Sequence, residues 1–255
     1  MNSAERSDNL WVRRFHPVGD AEHRLVCFPH AGGSAPFYFP VSAALSPRVD
    51  VAAMMYPGRQ DRYREPGIDS IATMADRAAE ALDPFMDRSV TFFGHSMGAI
   101  VAFETARRFE RDGRGPVHLF VSGRRAPSVF RTERVHQRDD DGIVAALKAL
   151  SGTDSRLLGD EDALRLVLPA IRSDYRAIEN YRADPHAVVD CPVTVLTGDA
   201  DPLTSLDDAE AWKQHTNGDF DFKVFPGGHF FLSEQAKDVL AVLNEHFSAG
   251  SPATR

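Results

Sequence analysis

Residues Val90–Ala102 read VTFFGHSMGAIVA, and three local signals follow one another in this stretch. A short β-branched and aromatic run comes first, then a serine between two glycines, then good helix formers. This order predicts a strand, a tight turn and a helix, the setting in which Gly-x-Ser-x-Gly presents a nucleophilic serine. Gly94 and Gly98 would let strand and helix approach closely, and the helix N-terminus would bring unpaired N–H groups near Ser96. The alternative is a structural serine in a glycine-rich turn.

The composition is that of an ordinary globular domain. The chain has 255 residues, 43% of them apolar and 26% charged, which is enough for one sizeable α/β domain with its own core. The net charge of −8 argues against a nucleic-acid partner. The first fifteen residues are rich in charge and lack a signal-peptide core, and no apolar run is long enough to span a membrane. We therefore expect a cytoplasmic protein.

The sequence offers little to hold a metal or a cofactor. Cys27 and Cys191 lie in apolar, strand-like segments, which favours two buried free thiols over a disulfide. His-Glu-x-x-His, paired-cysteine and Gly-x-Gly-x-x-Gly patterns are missing from the chain. We expect no metal and no dinucleotide cofactor.

Strand and helix patterns alternate along most of the chain. Strands are predicted at 24–28, 49–55, 90–94, 117–121, 192–197 and 220–225. Helices are predicted at 36–45 with Ser34 as a possible N-cap, 70–83, 97–112, 142–150, 160–181 with a kink or break at Pro169, 206–216 and 234–247. The alternation predicts a mostly parallel sheet with crossover helices.

The alternation of strand and helix patterns stops between Arg124 and Pro185, where only helical patterns occur. We interpret residues 124–185 as a helical lid insertion and residues 1–123 and 186–255 as the α/β core. Two ordinary crossover helices are the alternative.

Polar groups at the carboxyl ends of parallel strands gather at one edge of the sheet. Ser96, the loop with Asp199 and Asp201, and His229 all occupy such positions, in the chain order of α/β-hydrolases. His229 directly follows the last strand and is the candidate base, with His30 as its rival. Position favours Asp201 as the acid because it lies further out on its loop, but leaves Asp199 open.

An oxyanion hole needs two converging N–H groups. One is predicted from Met97, the residue after the serine, and the other from Ala31 in the loop after the first predicted strand.

Several blocks resemble the stand-alone type II thioesterases of polyketide and nonribosomal peptide synthesis. They span nearly the whole chain: FPHAGGS at 28–34, YPGRQDR at 56–62, FGHSMGA at 93–99, GDAD at 198–201 and GGHFFL at 227–232. The resemblance implies an α/β-hydrolase fold and hydrolysis of acyl thioesters from the phosphopantetheine arm of acyl or peptidyl carrier proteins. It also implies Ser96 as nucleophile, His229 as base and Asp201 as acid.

Three further expectations accompany this resemblance. Four apolar lid residues, Leu164, Leu168, Ile171 and Tyr175, are expected to line the acyl pocket, with packing between helices as the alternative. An acidic carrier protein would need a basic docking surface, for which Arg59, Arg62, Arg64, Arg124, Arg125, Arg131 and Arg134 are candidates, or else scattered solvated arginines. We expect a monomer.

Two other functions are compatible with the same residues. One is a general small-ester hydrolase or a chain-releasing thioesterase or cyclase using the same triad. The other is a catalytically inactive binding module, which the intact Ser, Asp and His argue against.

Overall fold

The computed structural model describes residues 9–150, 161–184 and 186–249, and the side chains of residues 161–165 and 249 lie outside this description. A seven-stranded sheet runs through the centre in the order β1-β3-β2-β4-β5-β6-β7. The strands are β1 Val12–Arg13, β2 His23–Phe28, β3 Val49–Met54, β4 Ser89–His95, β5 His118–Ser122, β6 Val193–Gly198 and β7 Phe220–Phe225. Only β1 is antiparallel to its neighbour.

Helices connect these strands. The α-helices of the described residues are α1 Phe39–Leu45, α2 Ile71–Leu82, α3 Met97–Arg111, α4 Asp140–Ala149, α5 Glu161–Asn180, α6 Leu206–Glu210, α7 Phe231–Glu234 and α8 Ala236–Ala249. Short 3-10 turns lie at Ala35–Tyr38, Gln60–Arg62, Asp83–Phe85, Val135–Gln137 and Ala211–His215.

The core has a layer on each face of the sheet. Side chains of a strand alternate between its faces, so Phe92 packs with α2 and α3 on one face while Phe93 packs with α7 and α8 on the other. Both faces are covered, which explains why the inner parallel strands are almost fully buried, whereas the edge strand β7 carries Asp221 and Lys223. Cys27 and Cys191 are buried free thiols, as expected.

The predicted α/β class, the mostly parallel sheet and its six main strands are confirmed. Strand β1 was not predicted, since two residues show no alternation. The helix expected at 206–216 is divided into α6 and a 3-10 turn, and the one expected at 36–45 begins as a 3-10 turn, because tightening of a turn to i→i+3 bonding leaves little mark on apolar spacing. The helix expected at 234–247 is present as α8, with α7 as a separate short helix before it. Ser34 stands at the expected N-cap position, but its side chain makes no capping bond there.

Between β5 and β6, the described residues contain the helices α4 and α5 and no sheet strand. Helix α5 is not broken at Pro169, which lies within it. Ile143 and Leu147 of α4 pack against Leu168 and Ile171 of α5 in a small separate core. The assignment of 124–185 as a lid stays a prediction. Among the described helices, none is long and apolar enough to cross a membrane.

Candidate active site

Ser96 lies in the turn between β4 and α3, in a backbone conformation that residues other than glycine rarely adopt. Its φ is 55° and its ψ is −119°. The turn can be this tight because its neighbours lack side chains. A Cβ on Gly94 would lie 2.3 Å from the Gly98 carbonyl oxygen, and one on Gly98 would lie 2.0 Å from the Phe28 carbonyl oxygen. The predicted strand, turn and helix are therefore present, with the serine projecting from the turn.

Ser96, His229 and Asp201 form one hydrogen-bonded chain. His229 Nε2 lies 2.9 Å from Ser96 Oγ, and His229 Nδ1 lies 2.9 Å from Asp201 Oδ2. A carboxylate can only accept, so Nδ1 carries the proton and Nε2 is left to accept from the serine hydroxyl. The side chains of His229 and Asp201 are 3% and 0% exposed, which shields both hydrogen bonds from water. This arrangement can activate a serine as a nucleophile.

The structure also separates the two candidate aspartates. Asp201 Oδ1 accepts a 2.8 Å bond from Leu203 N–H, which fixes the carboxylate while Oδ2 faces His229. Asp199 instead accepts from Gly227 N–H at 3.0 Å. Asp199 therefore fixes the loop before the histidine, and Asp201 alone of the two bonds to the imidazole.

Two further histidines, the buried His95 and the half-buried His30, lie near His229. His95 bonds through Nδ1 to Ser122 Oγ at 3.0 Å, and its ring centroid is 5.2 Å from that of His229. Burial, aided by the charge of His229, lowers the pKa of His30 to about 3 and that of His95 well below its usual value. Both rings are thus neutral at ordinary pH, so neither repels an imidazolium on His229. His30, the rival base, packs against Phe37 and Phe230 instead.

The predicted oxyanion donors, Ala31 and Met97, follow the paired carboxyl ends of the neighbouring strands β2 and β4. Phe28 of β2 pairs with Gly94 of β4, and each predicted donor lies three residues further along. Met97 is the first residue of α3, where an N–H has no intrahelical acceptor. The His30 carbonyl accepts from Gly33 N–H at 2.9 Å, and since C=O and N–H of a trans peptide point in opposite directions, Ala31 N–H points away from that bond.

The next residue, Gly32, cannot serve as a donor. Its N–H donates to Asp174 Oδ2 of α5 at 2.7 Å. Arg59 completes this contact with two hydrogen bonds to the same carboxylate. Sequence reasoning did not identify this ion pair. The signal that could have found it is that Asp174 has the spacing of the apolar stripe on α5, which would place a charge on a buried face.

The structure places the expected pocket-lining residues in two settings. Leu168 packs within the small core between α4 and α5, and Tyr175 borders that core. Ile171 belongs to it as well, but its side chain also lies over Gly32, where a Cβ would come within 2.7 Å. Leu164 has its side chain outside the described part. Ile171 is thus the residue of this set that reaches the loop of the predicted oxyanion hole.

The structure contradicts part of the expected basic docking surface. Arg59, Arg62 and Arg125 are buried and paired with Asp174, Glu65 and Glu133, and Arg131 pairs with Asp208. Arg124 is half-buried. Arg64, Arg131 and Arg134 are exposed, and of these Arg64 and Arg134 make no ion pair with a described residue. Buried, paired guanidinium groups position loops and cannot meet a partner. Groups of His, Cys, Asp or Glu suited to a metal ion do not occur in the described part of the chain.

Comparison with known proteins places this geometry in a family. A family model described as the thioesterase domain matches residues 23–247. A probable cadicidin biosynthesis thioesterase of Streptomyces griseus is 54% identical over 92% of this chain, which spans 65% of that relative's length. Thioesterase PikA5 of Streptomyces venezuelae is 47% identical over 96% of this chain and 89% of its own.

Solved structures agree with this assignment. The type II thioesterase BorB from the borrelidin biosynthetic cluster superposes with a TM-score of 0.88 at 47% identity, covering 93% of this chain and 97% of its own. The family model covers most of the chain, and these relatives share nearly half of its residues or more. The chain therefore belongs to the thioesterase family.

Proposed function

We propose that this protein is a serine thioesterase that hydrolyses acyl groups from the phosphopantetheine arm of acyl or peptidyl carrier proteins. The observation that carries the proposal is the hydrogen-bonded chain from Ser96 through His229 to Asp201 in a member of the thioesterase family. Relatives named for the cadicidin and borrelidin biosynthetic pathways support a role in such a pathway. In it, the enzyme removes stalled or aberrant acyl groups from polyketide or nonribosomal peptide synthases.

The first half of the reaction forms an acyl-enzyme. His229 Nε2 takes the proton of Ser96 as the hydroxyl attacks the thioester carbonyl. Asp201 holds the imidazole in this tautomer and stabilises the imidazolium. The N–H groups of Ala31 and Met97 bind the developing oxyanion. When the tetrahedral intermediate collapses, the C–S bond breaks and the pantetheine thiol leaves, receiving the proton from His229.

The second half regenerates the serine. Water takes the place of the departed thiol, and His229 Nε2 removes its proton as the water attacks the acyl-enzyme carbonyl. The ester bond to Ser96 breaks, the serine oxygen takes the proton back, and the free acid leaves. Because His30 and His95 stay neutral, neither ring adds a positive charge that would oppose the imidazolium stabilised by Asp201.

The proposal is tested by comparing one acyl group on three carriers: a carrier protein, free pantetheine and p-nitrophenol. We expect kcat/KM to be highest for the carrier-bound thioester and the product to be the free acid. Ser96→Ala should abolish all three activities while the protein remains folded, as judged by circular dichroism.

Each alternative function has its own outcome in this experiment. A higher kcat/KM for the p-nitrophenyl ester would support a general esterase, and a cyclised product would support a chain-releasing enzyme. A folded wild-type protein that hydrolyses none of the three would support a binding module. We further propose that the protein acts as a cytoplasmic monomer. Sedimentation of the purified protein tests its oligomeric state.

A further inference from the structure

The loop that carries Ala31 is held by groups far away in sequence. Asp174 lies in α5, on the segment predicted to be a lid, and Arg59 lies in the loop after β3. Arg59 Nη1 and Nη2 donate to the two oxygens of Asp174 at 2.8 and 2.9 Å. The side chains of this pair are 3% and 0% exposed. A bidentate pair this deeply buried is geometrically specific, and it leaves an uncompensated charge if one partner is lost.

Both partners also form hydrogen bonds with the backbone of the loop that carries Ala31. Asp174 Oδ2 accepts from Gly32 N–H at 2.7 Å, and Arg59 Nη1 donates to the Gly33 carbonyl at 2.9 Å. Arg59 Nε bonds to the Pro57 carbonyl, so its own position is fixed as well. Gly32 has a φ of 74°, a conformation that its neighbours must maintain.

These contacts bear directly on Ala31. Gly33 N–H holds the His30 carbonyl, and that carbonyl belongs to the same peptide unit as Ala31 N–H. The direction of the Ala31 N–H bond is therefore set by where Gly32 and Gly33 lie, and those are the residues that Asp174 and Arg59 hold.

We infer that Arg59 and Asp174 are positioning residues for the oxyanion hole, and that α5 completes this hole by carrying Asp174 onto the loop. Neither side chain touches the reacting atoms; both act through the direction of Ala31 N–H. The inference rests on the proposed function in that it assigns Ala31 to the oxyanion. It adds that hydrolysis needs α5 in the place where Asp174 reaches Gly32.

The test substitutes Arg59 and uses a second buried arginine as a matched control. Arg24 pairs with Asp50 at 2.8 Å with side chains 1% and 0% exposed, near the amino ends of β2 and β3 and so at the opposite edge of the sheet. Arg59→Gln and Arg24→Gln remove the same charge from similarly buried pairs. Activity is measured per folded molecule, with the folded fraction taken from near-ultraviolet circular dichroism.

We expect Arg59→Gln to lower kcat about 10- to 100-fold with KM changed less than about threefold, because a misdirected donor is lost mainly in the transition state. Arg24→Gln should keep kcat within about threefold. The second readout is inhibition by a trifluoromethyl ketone analogue of the acyl substrate, whose hemiketal with Ser96 places an oxyanion in the hole. Its Ki should rise by the same factor as kcat falls.

Three results would overturn the inference: a kcat of Arg59→Gln within threefold of wild type, equal losses in both variants, or a lower kcat with an unchanged Ki. If Arg59→Gln does not fold, Asp174→Asn is judged by the same criteria, since its amide nitrogen cannot accept and the two-oxygen contact with Arg59 and Gly32 is lost. Failure of the proposed function is seen separately, as a wild-type protein without thioesterase activity. In that case the Ki of the trifluoromethyl ketone is compared between wild type and Arg59→Gln with a p-nitrophenyl ester as substrate, and this comparison still decides the role of Arg59 and Asp174.

Discussion

Replacing Asp201 by asparagine changes one atom of the carboxylate and removes its charge. In the structure one oxygen accepts from Leu203 N–H at 2.8 Å and the other from His229 Nδ1–H at 2.9 Å. An amide has only one acceptor. If its oxygen stays on Leu203, its NH₂ group faces Nδ1, and the imidazole must move its proton to Nε2. The nitrogen that should accept from Ser96 is then protonated.

The size of the effect follows from this wrong tautomer, for which a loss of about 10⁴-fold in kcat is expected. At about 1.36 kcal/mol for each factor of ten, this is about 5 kcal/mol of transition-state stabilisation. Asp199→Asn is the matched control. Its carboxylate accepts from Gly227 N–H, which an amide oxygen can also do, so kcat should stay within about threefold.

Both variants are assayed with the same acyl-pantetheine, and thiol release gives kcat per folded molecule. A loss of less than about tenfold in Asp201→Asn would refute the reasoning from the tautomer. A greater loss in Asp199→Asn than in Asp201→Asn would move the acid role to Asp199.

Three further predictions concern the turn at Ser96, the pH dependence of stability and the acyl pocket. Gly98→Ala should prevent folding or lower the melting temperature by more than 10 °C, since its Cβ would lie 2.0 Å from the Phe28 carbonyl oxygen; a wild-type melting temperature would contradict the close approach. Burial lowers the pKa of His118 to about 4, so the unfolded chain takes up its proton first and stability falls between about pH 6.5 and 4. Urea titration gives the free energy of unfolding at pH 7 and at pH 5. Its decrease between these pH values should be up to about 2 kcal/mol smaller in His118→Gln than in wild type, and equal decreases would rule out this contribution. Leu168→Trp should lower kcat/KM for octanoyl more than for acetyl thioester by displacing α5 from Ile143, and a uniform loss would mean that Leu168 does not affect the acyl pocket.

The parts of the site that follow from local sequence were predictable. Ser96, Gly94 and Gly98 form a turn whose strand, glycines and helix are all encoded within thirteen residues. His229 was predicted because it directly follows the last strand. The choice between Asp201 and Asp199 depends on which carboxylate faces a ring 28 residues away, and local pattern carries little information about that.

The arginines show what the sequence could not provide. Arg59 and Arg62 lie in a polar loop that reads as exposed, yet both are buried because Asp174 and Glu65 pair with them. Asp174 is 115 residues from Arg59, so nothing near either residue indicates the pair. This long-range pair removes Arg59 from the predicted docking surface and supports the inference about the oxyanion loop, whereas the pair of Arg62 with Glu65 is local.

The central claim is that Ser96 forms a covalent acyl-enzyme. The most direct test mixes the protein with excess acyl-pantetheine, quenches with acid within milliseconds to seconds, and measures the intact mass. The account predicts a mass increase of one acyl group on wild type, located on the peptide that contains Ser96, and no increase on Ser96→Ala. An acyl adduct on folded Ser96→Ala, or rapid hydrolysis by that variant, would contradict it.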